Sequence, residues 1–527
     1  MTIFPKNNSL KYLKYSKLLL LIFFMSSCGS GNNSEPSLVN NYTIDNQWYE
    51  GTFLPEINYK NKCINPRIGI NPETNTTYYD VQGTYVDENN FLRSFSNNTY
   101  LWYDEIIDAD PSLFSVENYF ALLKVSHDRF HFTYPTEEWF QISQSGVSTG
   151  YGAIWINQSN RIFVAYTEPN SPATDIAINI ERGDEVIEVD GINVNDFANS
   201  GQVSNGLYPS TPDQTHTFLI KKRDSGDNQI VTMTSAYVTS SPVQSVKTIK
   251  TDTGNIGYFL FNDHIATSEK SIFDAISQLK SNNIVDLILD LRYNSGGYLA
   301  IANQLAYMIA GPTYTAGKSF ETMEFNDKHP ITNPITNEPI RAIPFYTKTI
   351  GLSSMDSNTE LPSLSLNLGE NGYPRVFILT GNDTCSASES IINSLLGINI
   401  EVIQIGSVTC GKPYGFYPKD NCGTTYFTVQ FKGINSVGFG DYSAGFRPRA
   451  SSLDANMPLG CEVDEDIQKL LGNVDENRLA AALHYRDTGS CPHNSASRSL
   501  MNVSSTKNKY RKINKLKKNI FLSNKFL

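Results

Sequence analysis

From Asn255 onward, apolar runs of strand length alternate with amphipathic runs of helix length, and this alternation limits the possible folds most strongly. "GYFLF", "VDLILDLRYNSGG", "RVFILTGNDT" and "EVIQIGSVTCGK" are the strand candidates; "SIFDAISQLK", "YLAIANQLAYMIA" and "SASESIINSLLG" carry helical periodicity. Apolar strands followed by amphipathic helices imply an α/β layer with a largely buried sheet. "TTYFTVQFKGI" reads as a later strand, and "DEDIQKLL" and "DENRLAAALHY" as closing helices. The chain has 527 residues, too many for one core, so two to four domains are expected.

The region before this layer has two other characters. "FLRSFSNNTYLWYDEI" and "SVENYFALLKVSHDRF" show helical spacing, with Leu92, Phe95 and Tyr100 to Trp102 as an apolar face and Ser115 placed to open the second helix. Residues 140–240 change to short strands with turns: "GAIWIN", "RIFVAYTE", "DEVIEVDGINV", "HTFLIKKR" and "IVTMTSAYV". Gly183-Asp184, a strand, and an Asp190-Gly191 hairpin turn follow a short helix here. That order resembles a PDZ domain. The resemblance makes Gly150, Tyr151, Gly152 and Ala153 a loop whose backbone N–H groups hold the carboxylate of a peptide C-terminus.

The N-terminus reads as a processing signal. Lys11, Lys14 and Lys17 precede "LLLLIFF", and "MSSCGSGNNSEPS" follows. The apolar run is too short for a transmembrane helix. The small residues before Cys28 resemble a bacterial lipobox, which implies cleavage before Cys28, lipidation of Cys28 and a tether beyond it. The net charge of −11 argues against a nucleic-acid binder, although Arg498 to Leu527 holds many Lys and Arg and no acidic residue. Of seven cysteines, Cys28 apart, six remain. An even number in an exported chain suggests disulfides, and six allow about 15 pairings. Cys385 with Cys410, Cys410 with Cys422, and Cys461 with Cys491 all close reasonable loops. No CxxC pair is present, so neither a zinc site nor a cofactor is expected.

The chemistry centres on "GNDTCSASESIINSLLG". Taken alone, Ser386 is a helix cap in front of an apolar run. Two further stretches change this: "DLRYNSGG" upstream and "TCGKPYG" downstream. Their order, after a helical unit and a PDZ-like unit, resembles the carboxyl-terminal processing protease and tricorn-core family of serine peptidases over roughly residues 90–490. The resemblance implies that Ser386 is the nucleophile and Lys412 the general base. A serine hydroxyl needs a base, and a lysine can serve only when burial brings its pKa down. Ala387 N–H and an N–H of Gly296 or Gly297 are the expected oxyanion donors. Phe416 stands where lysine-type members commonly carry a glutamine that orients the lysine. His131, in "DRFHFTY", resembles the histidine of tricorn-type members and is a rival base.

The expected fold class is therefore multi-domain α/β: a helical N-terminal unit, a PDZ-like β domain and an α/β (ββα-type) serine peptidase core. The expected boundaries are a signal peptide at 1–28, a tether at 29–44, a mainly helical domain at 45–138, the PDZ-like domain at 139–242, the core at 243–495 and a basic tail at 496–527. The expected function is a lipid-anchored serine endopeptidase of a bacterial cell envelope, periplasmic or at the cell surface. Its partners are a protein or peptide with a free C-terminus and, through the lipid, a membrane. A non-hydrolytic peptide- or ligand-binding lipoprotein on the same fold is the alternative.

Overall fold

A computed structural model describes residues 47–449 and 456–492. Cys28 with its leader, the tether at 29–44 and the basic tail at 496–527 lie outside the described residues. Among the described residues no helix is long and apolar enough to cross a membrane.

The β/α alternation folds as its period requires. Six strands form one sheet in the order Val243–Thr251, Gly254–Phe261, Ile284–Asp290, Arg375–Thr380, Glu401–Gly406, Leu459–Glu462. The first pair is antiparallel and the others are parallel. Side chains along each strand alternate between two apolar layers. Val376 and Ile378 join one cluster with Ile391, Ile392 and Leu395 of the helix Ala387–Gly397, and with the helices Ser268–Ser281 and Leu299–Thr315. Phe377 and Leu379 join the other, against Leu479 and Ala482 of the helix Asn477–Thr488. Full burial of each such side chain contributes about 1.5–3 kcal/mol, so a strand covered on both faces is held from two sides at once.

Residues 153–234 build a separate antiparallel sheet, ordered Asn228–Thr234, Thr215–Lys221, Glu185–Val189, Arg161–Thr167, Ala153–Gln158. It has its own core of Val164, Val186, Val189, Phe218, Ile220 and Met233, on which the helix Ser200–Leu207 packs through Val203 and Leu207. Asp190 (φ 51°) and Gly191 (φ 75°) make the hairpin turn read from the sequence.

The N-terminal part is less regular than its periodicity suggests. Its α-helices are Tyr85–Thr99, Val116–Leu122 and the start of Thr136–Phe140, with short strand pairs and 3₁₀ turns between them. "KVSHDRF" is not helical. This part is fastened to the core: Phe132–Pro135 pairs antiparallel with Thr424–Phe427, and Cys63 is bonded to Cys422. The second and third disulfides are Cys385–Cys410 and Cys461–Cys491. The expected option of Cys410 with Cys422 is thus overturned, because Cys422 is brought to a partner 359 residues away.

Two other expectations need correction. "DEDIQKLL" forms no helix. Its backbone is engaged instead by Arg182, which donates to Lys469 O and Asp466 O and pairs with Glu465. "TTYFTVQFKGI" is two strands, Thr424–Phe427 and Phe431–Ile434, on different sheets.

Candidate active site

Three loops leave the carboxyl ends of three neighbouring parallel strands and meet. One follows Ile284–Asp290 and carries "RYNSGG", one follows Arg375–Thr380 and carries Ser386, and one follows Glu401–Gly406 and carries Lys412. Open parallel sheets place ligands at such ends.

Ser386 occupies a sharp turn between strand and helix, with φ 56° and ψ −118°. A non-glycine residue there is strained by about 1–3 kcal/mol and needs surrounding bonds to hold it. They are present. Cys385 N–H and the Ser388 hydroxyl both donate to Asn294 O, at 3.1 Å and 2.9 Å. The Thr384 hydroxyl donates to Leu291 O. The Ser386 hydroxyl is different: it is buried and has no hydrogen-bond partner among the described residues. Ser386 is the N-cap residue of the helix Ala387–Gly397, and Glu389 accepts its N–H as in a capping box, so the cap reading of this position holds while the hydroxyl itself is left unbonded.

Glu389, three residues on, joins two of the loops. Its Oε2 accepts from Ser386 N–H (3.0 Å) and Lys412 N–H (2.8 Å), and its Oε1 from Gly411 N–H (2.8 Å) and the Thr409 hydroxyl (2.6 Å). Burial pushes the Glu389 carboxyl up, and the hydrogen bonds oppose that shift. Each of these contacts requires the carboxylate to accept, which the ionised form does. The disulfide Cys385–Cys410 ties the same two loops, with Cα atoms 5.2 Å apart. Both sulfurs lie near Glu389, but bonded to each other they offer no thiolate pair to a metal.

Lys412 is buried, and its Nζ lies 4.3 Å from the Phe416 ring centre and 5.1 Å from that of Phe130. No ion pair or hydrogen bond to Nζ is present among the described residues. Burial brings the amine down from 10.5 to about 8, against the opposing charges of Asp128 and Glu389. Gly411 (φ 80°) is required beside it, since a Cβ there would sit 2.2 Å from Ser443 O. Phe416, a departure in the sequence pattern, therefore holds the lysine through its ring face.

The glycines are also separated by geometry. A Cβ on Gly296 would lie 2.8 Å from Ser386 Cβ and 2.9 Å from Ala387 N; one on Gly297 would lie 2.4 Å from His264 O. Gly296 N–H is already taken by Asn294 Oδ1 at 3.0 Å. The N–H groups of Gly297 and Ala387 donate to nothing described.

His131 is packed beside Asp128, whose Oδ2 lies 3.9 Å from its Nδ1. Its Nε2 lies 2.9 Å from Phe120 O and its Nδ1 3.3 Å from the Thr428 hydroxyl, and its ring stacks on Phe120 at 3.9 Å. Burial brings its pKa down to about 4. In the other sheet unit, Tyr151 is anchored by its hydroxyl to Gly206 O, and Gly152 (φ 75°) approaches Ser171 too closely for a side chain. Tyr151 N–H and Gly152 N–H donate to no described residue.

Residues 255–415, which include Ser386 and Lys412, match the model of peptidase family S41. The matched segment is that of an S41 serine-type peptidase. A crystal structure described as that of an inferred S41 protease from Bacteroides fragilis NCTC 9343 superposes with a TM-score of 0.56 at 21% identity, covering 75% of this chain and 97% of that one. The photosystem II D1 C-terminal processing protease gives 0.42 at 16% identity, over 74% and 97%. Mature CPAF complexed with lactacystin gives 0.34 at 13% identity, over 69% and 87%. The first of these shows a shared S41 fold. No curated protein sequence matches the chain.

Sequence reasoning left Glu389 without a role, although Ser-x-x-Glu before an apolar run is a capping-box signal. It also passed over His264 and Phe130, which no motif marks. The burial of Lys412 has a thermodynamic consequence. The folded chain binds fewer protons than the unfolded one between pH 8 and 10.5, so the penalty is full below about 8 and fades toward 10.5. Lys412→Met is expected to raise stability in thermal unfolding at pH 7, by on the order of 3 kcal/mol. The gain should shrink as the pH approaches 10.5; a constant gain, or a loss, would contradict the buried amine.

Proposed function

We propose that the protein is a cell-envelope serine endopeptidase in which Ser386 is the nucleophile and Lys412 the general base. The observation that carries the proposal is a buried serine hydroxyl with no partner among the described residues, on a strained turn that one carboxylate ties to a desolvated lysine. With a pKa of about 8, roughly a tenth of the amine is neutral at pH 7, against under a thousandth at its ordinary value. The neutral amine takes the Ser386 proton as Oγ bonds to the scissile carbonyl carbon. Ala387 N–H and Gly297 N–H, both unengaged among the described residues, are directed to the oxyanion. The tetrahedral adduct collapses, the C–N bond breaks, and the ammonium returns the proton to the leaving amine. Water, activated by the same lysine, then hydrolyses the acyl-enzyme. His131 has both nitrogens engaged by other groups, which supports Lys412 over it.

Two further parts belong to the proposal. The antiparallel unit acts as a PDZ domain that captures the substrate's C-terminal segment; the unengaged N–H groups of Tyr151 and Gly152 support a carboxylate at Gly150–Ala153. Cys28 is lipidated and holds the enzyme on a membrane, which rests on the lipobox-like sequence and its basic and apolar lead.

Ser386→Ala is expected to abolish cleavage of casein and of labelling by a fluorophosphonate, by several orders of magnitude in rate, with the fold intact. Lys412→Arg should be nearly as inactive as Lys412→Ala, because guanidinium stays protonated. Wild-type activity should rise with pH with a midpoint near 8, following loss of the ammonium proton. An active Lys412→Arg enzyme with unchanged pH dependence would end the lysine assignment. For recognition, titration of the full-length Ser386→Ala protein should show binding of peptides with free apolar C-termini and not of their amides; equal binding excludes the carboxylate loop. For anchoring, a palmitate analogue should label the wild type and not Cys28→Ser; an unlabelled wild type leaves an ordinary signal peptide.

A further inference from the structure

Two consecutive glycines at an oxyanion site raise a mechanical question. Gly296 (φ 102°) and Gly297 (φ 134°) have no Cβ to restrict them, so their own sterics cannot keep one N–H aimed at a developing charge. Something outside the glycines has to hold them. The surrounding bonds converge on His264, in the loop after Gly254–Phe261.

His264 is fully buried. Its backbone brackets the second glycine: His264 N–H donates to Gly296 O (3.1 Å), and Tyr298 N–H donates to His264 O (2.7 Å). Any residue could make these two bonds. The side chain adds a third that few could. Nδ1 lies 2.9 Å from Asn294 Oδ1, the same oxygen that accepts Gly296 N–H. The orientation of the Asn294 amide is fixed by its Nδ2, which donates to Phe261 O at 2.9 Å. Oδ1 is thus the acceptor, so Nδ1 carries the imidazole proton and Nε2 is a bare lone pair, buried without a partner among the described residues. Asn294 O in turn accepts from Cys385 N–H and the Ser388 hydroxyl, on either side of Ser386. The imidazole is therefore one bond from the residue that joins the glycine loop to the serine turn, and the Phe261 ring, 4.5 Å away, confines it.

We infer that His264 is a positioning residue for the oxyanion: through Asn294 it holds the Gly296–Gly297 backbone against the Ser386 turn, so that Gly297 N–H stays aimed at the reacting oxygen. The inference rests on the reading of Ser386 as nucleophile. It assigns no proton transfer to the imidazole. Loss of the Nδ1 donor should leave substrate capture intact and weaken the transition state alone, because the oxyanion exists only there.

His264→Phe keeps the ring and removes the donor. With a fluorogenic peptide, kcat is expected to fall by about tenfold to a hundredfold, below the cost of deleting an oxyanion donor outright, with KM nearly unchanged. Affinity for a peptide boronate, which forms a tetrahedral adduct on serine, should fall by the same factor as kcat/KM. Peptide binding to a Ser386→Ala, His264→Phe double variant should match that of Ser386→Ala. His264→Asn, whose amide Nδ2 stands near the place of Nδ1, should recover most of the loss; His264→Gln, whose donor stands near Nε2, should not. Unchanged kcat and boronate affinity in His264→Phe overturns the inference, as does a loss that follows melting temperature and is not recovered by His264→Asn. If His264→Phe does not fold, the contrast between the Asn and Gln variants carries the same decision. A wild type that reacts with neither fluorophosphonate nor substrate overturns the serine-peptidase reading and this inference with it, whereas a reactive wild type with an unaffected His264→Phe overturns this inference alone.

Discussion

The Glu389 carboxylate is the interaction on which the rest of the site depends. It has no exposed surface, and it accepts from the backbone of the serine turn and from the backbone of the lysine loop at once. A buried carboxylate is costly unless every lone pair finds a donor. Here the donors are the N–H groups that must be fixed if Ser386 and Lys412 are to face each other. The cost of burying the charge and the need to position the two loops are met by the same bonds. The disulfide Cys385–Cys410 repeats the connection covalently, so the strained Ser386 turn is held from both sides.

That arrangement is possible because the sheet beneath it is covered on both faces. Parallel strands all end on the same edge, and each is fixed laterally by its neighbours and vertically by two apolar layers. The loops can therefore be short and strained without moving the strands that carry them. The N-terminal part then covers the lysine: Phe130 lies against Nζ, and Arg129 donates to Cys410 O. Desolvation, the largest cause of the lowered lysine pKa, is thus supplied partly by residues almost 300 positions upstream. The Cys63–Cys422 bond and the Phe132–Pro135 strand hold that cover in place.

In the proposed mechanism the aromatic surroundings of Lys412 stand in for the amide that lysine-type members commonly carry. A glutamine would orient the amine by accepting a hydrogen bond, which favours the ammonium form. A ring face attracts the cation more weakly and lets burial dominate. Phe416 and Phe130 therefore orient the amine while leaving its pKa low. His131, stacked on Phe120 and bonded at both nitrogens, belongs to the packing of that cover.

By itself the sequence determined the layers of the core and named the candidates for the chemistry. Period-two and period-3.6 patterns are local, so the strands around Ile288 and Ile378 and the helix after Ser386 could be read directly, and the spacing of Ser386, Gly296, Gly297 and Lys412 carried the family resemblance. What depended on long-range contact could not be read. Cys422 found Cys63 and not Cys410, because pairing follows distance in the fold. "DEDIQKLL" lost its helix to Arg182, a side chain from another unit that took its carbonyls. Gly296 and Gly297 were equivalent in the sequence until Asn294 occupied one N–H and left the other free. Lys412 was a lysine like any other until Phe130, Phe416 and the surrounding core removed its water: a pKa is set by what lies around a group in space, and only the tertiary structure decides that.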